Sequence, residues 1–104
     1  MAADQYEQLI QHLAQNKSVV SSQMFGKPCL KINGKAFLAL HQKVLVFKLS
    51  GDAHNQALAQ KGAMLWDPSG KGRPMKEWVA IPAENLRDAK SLANQALDYV
   101  GVCA

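Results

Sequence analysis

Asn33-Gly34 stands between two apolar runs, 29–32 and 36–41, and this dipeptide is the tightest constraint the chain places on its own fold. Both residues tolerate positive φ, which a two-residue turn needs if its twist is to match the strands on either side. Cys29-Leu30-Lys31-Ile32 therefore reads as one strand, and Ala36-Phe37-Leu38-Ala39-Leu40-His41 as its antiparallel partner. After a second short turn at Gln42-Lys43, Val44-Leu45-Val46-Phe47-Lys48-Leu49 supplies a third strand, and the three form a meander.

Simple alternation makes the second and third of these strands apolar on both faces. Leu38 and Leu40 oppose Phe37 and Ala39, and Leu45 and Phe47 oppose Val44 and Val46. An antiparallel sheet with one face in water alternates apolar with polar residues. Only Lys31, His41 and Lys48 offer polarity to the second face. That face is expected to need cover, and a homodimer through the sheet face is the simplest cover.

The flanking segments have helical period. Over 4–16, Tyr6, Leu9, Ile10 and Leu13 recur at helix spacing, with Asp4 and Glu7 in the first turn, where the helix dipole favours negative charge. The stretch 21–28 reads as a break punctuated by Gly26 and Pro28. Ser50 or Asp52 caps a short helix through Ala53, Ala57 and Leu58 that stops at Gly62. A short strand over 63–66, a polar loop over 67–74 and a strand over 75–81 ended by Pro82 follow. A last helix starting near Ala83 carries Leu86, Ala89, Leu92, Ala93, Ala96, Leu97 and Val100 on one stripe. The order α-β-β-β-α-β-β-α predicts a two-layer α+β fold with a mainly antiparallel sheet, as a single domain over 1–104.

These corners resemble the N-terminal domain of the TfoX/Sxy family of competence regulators. The residues that carry the resemblance are Met24-Phe25-Gly26, the Asn33-Gly34-Lys35-Ala36-Phe37 hairpin, Val46-Phe47-Lys48, then Gly72-Arg73-Pro74-Met75, Trp78 and Pro82. The resemblance implies a helix, a three-stranded meander, a helix, two strands and a helix. It also implies a regulatory role: the family's best-known members control DNA-uptake genes together with the cyclic-AMP receptor protein. Two-domain members carry a helical C-terminal domain as well, so this chain reads as a stand-alone single-domain member. The family brings no catalytic residues. Physically, Gly26 is expected to supply a backbone angle closed to other residues, and Met24 and Phe25 to tuck under the sheet edge. Pro74 sets the entry of Met75 into its strand, and Trp78 is expected to close the core beside the last helix.

Composition narrows the function classes. Twelve Lys and Arg face eight Asp and Glu, a net charge of +4 spread from Lys17 to Lys90. The apolar share, 48%, is that of a packed domain and excludes a disordered chain. The first residues lack a basic-then-apolar leader, and no apolar run reaches membrane-spanning length, so a cytoplasmic protein without membrane contact is expected. Cys29 and Cys103 are too far apart for a metal pair or a disulfide framework; Cys29 reads as a small core residue.

Catalytic chemistry finds no support. His12, His41 and His54 fall on separate elements, which gives no metal-ligand spacing. Cys29 has no neighbouring base, Ser21 and Ser22 lack a nucleophile-elbow context, and Asp52, Asp67, Glu77 and Glu84 sit at element ends where capping explains them. No catalytic, metal or cofactor-binding residue is expected, and the chain reads as a non-enzyme. Ser69-Gly70-Lys71-Gly72 lacks the flanking residues of a phosphate loop. Lys71, Arg73 and Lys76 form the densest basic cluster and are the candidate anion contact, against a solvated turn.

Phe25, Phe37, Phe47, Trp66 and Trp78 lie in apolar runs and read as core, with Trp66, beside the polar loop, nearest to solvent. Three functions stay open. The first is a protein-interaction domain in gene regulation, making contact through the uncovered sheet face and the Arg73 loop. The second is nucleic-acid binding by the basic loop. The third is a small-molecule site or enzyme.

Overall fold

The computed structural model describes residues 2–14, 18–24, 27–67, 75–87 and 89–103. Helix α1 (Ala2–Leu13) leads into strands β1 (Val19–Met24), β2 (Lys27–Ile32), β3 (Lys35–His41) and β4 (Val44–Lys48). Helix α2 (Gly51–Leu58), strands β5 (Met64–Trp66) and β6 (Met75–Pro82), a 3-10 turn (Ala83–Asn85) and helix α3 (Ala89–Cys103) complete the chain. Every strand pairing is antiparallel, in the order β1-β2-β3-β4-β6-β5. The α+β class and antiparallel sheet agree with the sequence reading, with one strand more than expected.

That extra strand is β1. The stretch read as a break is a hairpin arm, paired from Val19↔Ile32 to Met24↔Lys27. It lacks the alternation that marks a half-buried strand, because none of Val19 to Gln23 is buried. The Asn33-Gly34 turn forms as predicted, with φ of 52° and 81°. At the next turn Gln42 takes φ 54° without being glycine.

The last helix also starts later than expected. Ala83–Asn85 closes a separate turn, Leu86 is extended, and α3 begins at Ala89. The side chain of Gln60 holds this corner as a second backbone would: its amide donates to the Arg87 carbonyl at 3.1 Å and accepts from the Arg87 N–H at 2.9 Å. Gly62 is required nearby, since it has φ 78° and a Cβ there would meet Pro82 Cγ at 3.0 Å.

The helices cover one face of the sheet. Tyr6, Leu9 and Leu13 of α1 and Leu92, Ala93, Ala96 and Val100 of α3 pack on Leu30, Leu38, Leu45, Phe47, Val79 and Ile81. Each buried side chain of the Leu or Phe class contributes roughly 1.5–3 kcal/mol. The alanines of α3 let the helix lie close.

Phe37 departs from the expected alternation. Leu30 pairs with Leu38 but Lys31 pairs with Ala36, so Phe37 is an extra residue, a β-bulge. The bulge puts Phe37 beside Leu38 in the helix-side core and leaves Ala36 on the other face.

Candidate functional site

The face turned away from the helices follows from the strand register. Its central row holds Cys29, Ala39, Val46 and Ala80, all buried. These residues share a second cluster with Trp66 and Trp78. Small side chains on the strands leave a trough, and two large indoles fill it. The ring centroids lie 5.5 Å apart at an interplanar angle of 59°, a tilted contact favourable for aromatic pairs.

Two expectations are corrected here. Trp78 lies on the face opposite α3, because the pairing Lys48↔Trp78 gives it the parity of Val46 and Ala80. Trp66 is 3% exposed, although a polar loop follows it in sequence. The two-sided apolarity of β3 and β4 is accounted for by this pair and the bulge, within one chain.

Trp66 reaches from the edge strand β5 to β3, where its indole N–H donates to His41 Nδ1 at 2.9 Å. The rings meet edge to face at 6.0 Å. An indole N–H only donates, so His41 must be neutral with its proton on Nε2. Burial first, and the Lys27 charge second, push the His41 pKa below its usual value. Lys48 Nζ stands 6.0 Å from the centroid of the Trp78 ring, on its face. Burial raises the Cys29 thiol, against a smaller pull from Lys31, so the sulfur stays protonated and inert.

The rim of this face is basic. Lys27 and Lys31 on β2 and Lys48 on β4 share it, by their register with Met24, Ala36 and Trp78. Asp4, Glu7, Asp52 and Asp98 lie on the helices, and Glu77 on β6 accepts a hydrogen bond from the Tyr99 hydroxyl of α3. At one end of the face, His41, Val44, Met64, Trp66, Ala80 and Pro82 line a groove of about 620 Å³.

Of the residues singled out in sequence, Phe25, Gly26, Lys71, Gly72, Arg73 and Pro74 lie outside the described residues. Met24 ends β1 and Met75 opens β6, with Lys76 next to it; the side chains of these three also lie outside the described set. Three strands separate β1 from β6, and the antiparallel order puts Met24 and Met75 at opposite ends of the sheet. Met24 and Met75 themselves therefore do not come together. Sequence reasoning missed the His41–Trp66 bond, which joins residues distant in the chain. It also missed β1, whose one local signal was the β-branched pair Val19-Val20.

Among the described residues, no group of His, Cys, Asp or Glu converges for a metal, and no helix is long and apolar enough to cross a membrane. Comparison with known proteins gives one family: the model of the TfoX N-terminal domain matches residues 11–98. No curated protein and no solved structure matches the chain. The family match covers most of the sequence, from within α1 to within α3, and the chain belongs to the TfoX N-terminal domain family.

Proposed function

We propose that this TfoX N-terminal domain is a non-catalytic regulatory module, acting by protein contact in transcriptional control in the cytoplasm. Its family membership over residues 11–98 carries the reading. Side-chain chemistry accords with it, because three groups able to move protons are engaged in contacts between elements of the fold. His41 holds Trp66, His12 Nε2 pairs with Asn94 Oδ1 at 3.1 Å, and the Tyr99 hydroxyl holds Glu77. With the centre of the sheet face filled by indoles, the contact surface is its rim, Lys27, Lys31 and Lys48, together with the loop through Arg73. Transcript profiling tests this. Deletion of the gene shifts a defined set of transcripts, and the wild-type chain restores them while Arg73→Ala or a Lys31→Glu/Lys48→Glu pair does not. Unchanged transcripts on deletion would reject the regulatory role.

A local lysine cluster favours one second reading, direct nucleic-acid binding. Lys27, Lys31 and Lys48 lie on the open face of the sheet, with Asp67 at the groove at its end and Lys90 among the carboxylates of the helices, so the cluster offers a polyanion a local contact. Phosphate contacts release counterions, so binding would fall steeply with salt. Absence of retention in a low-salt filter-binding titration removes this reading.

A further inference from the structure

Two strands end the sheet, and they differ in protection. β5 is three residues long, and its register with β6 breaks after Leu65. Short, irregular edges resist pairing with another chain. β1 is six residues long, keeps an unbroken register with β2, and contains no charged residue and no proline. Val20 on it is 58% exposed. Among the described residues no strand lies beyond β1, so one flank of its backbone N–H and C=O groups faces outward. An edge of this kind is a template for strand addition.

We propose that β1 pairs antiparallel with β1 of a second copy of this chain, joining the two sheets edge to edge. The uncharged edge suits a second copy, because two antiparallel β1 strands oppose no like charges in the seam even though each chain carries a net +4. The nearest described cations on the sheet, Lys27 and Lys31, lie one strand back from the seam. Geometry agrees. A two-fold axis along the sheet normal keeps both helical layers on one side and pairs only residues of like face. With Ser22 on the axis, Val20 takes the register position opposite Met24 of the second copy, and Ser21 that opposite Gln23. An interface this narrow falls below the roughly 1,200 Å² of standard complexes, so the dimer is weak and concentration-dependent. The inference is independent of the regulatory reading, since it rests on the edge alone.

Sedimentation equilibrium of the full chain tests it. The wild type shows a reversible monomer–dimer equilibrium that added salt does not dissolve. Val20→Lys and, separately, Gln23→Lys place a charge on exposed positions of β1 and raise the dissociation constant by about tenfold or more, with unchanged far-UV circular dichroism. Met64→Lys, at the other edge, leaves the equilibrium as it was. A wild type that stays monomeric at millimolar concentration overturns the proposal. So does a dimer that survives both β1 lysines, or one that Met64→Lys dissolves.

Discussion

On the helix side of the sheet, Leu30, Phe37, Leu38, Leu45, Phe47, Val79 and Ile81 are large and meet helices that bring both large residues, Tyr6, Leu9 and Leu92 among them, and the small Ala93 and Ala96. On the other side the strand floor is made of smaller residues, Cys29, Ala39, Val46 and Ala80, and the bulk arrives as two indoles from β5 and β6. Both arrangements exclude water from one sheet. They differ in what they tolerate. The helix side is an interlocked core, so losing volume there leaves a cavity. The indole side is a filled trough, so adding volume to its floor displaces the filler.

Both tryptophans of the chain belong to the second cluster, which makes their fluorescence a reporter of that face alone. The largest effect is expected from Phe47→Ala, which opens a cavity among fully buried neighbours and costs about 3–5 kcal/mol in urea unfolding. Its native tryptophan emission stays as in the wild type; a red shift would mean that the faces are not separate. Ala39→Leu is next, at about 1–3 kcal/mol, because Ala39 is fully buried in the cluster that holds the indoles. Here the emission moves to the red, and an unmoved spectrum would show that the trough has spare room.

The smallest effect concerns pH. His41 has a lowered pKa in the folded chain, so as pH falls below about 6.5 the unfolded chain binds the proton first and stability declines. The loss runs until the lower folded pKa is passed, and above neutrality the full contribution is present. Melting temperature measured across this window shows the step in the wild type and a smaller one in Trp66→Phe, which frees His41 Nδ1 from its donor. An identical step in both would separate the titration from the Trp66 bond.

The same contrast explains how much could be read from sequence. Strands β2 to β4, α1, α2, β5 and β6 were legible because each carries local signals: period, turn residues, breakers. β1 was not, because it is held by its ladder to β2 and buries no side chain between Val19 and Gln23. The face of Phe37 was misread because one bulge shifts parity for everything before it in β3, and a bulge leaves no mark in hydropathy. The placement of Trp78 needed only the register Lys48↔Trp78, but that pairing joins strands with α2 and β5 between them. Arg73, Lys71 and Gly72 remain positions named from sequence, outside the described residues.

That β4–β6 pairing sets an order in time. Strands β1 to β4 connect through short turns, and their contacts close small loops. β6 comes after α2, β5 and residues 67–74 in the chain, and all of these precede it before Phe47 meets Val79 and Val46 meets Ala80. Closing the longer loop carries the greater entropic delay, and non-local pairing slows folding. The four-strand meander is therefore expected to assemble first, with the indole of Trp78 arriving with the last strand. In a refolding experiment, backbone signal leads and tryptophan burial follows.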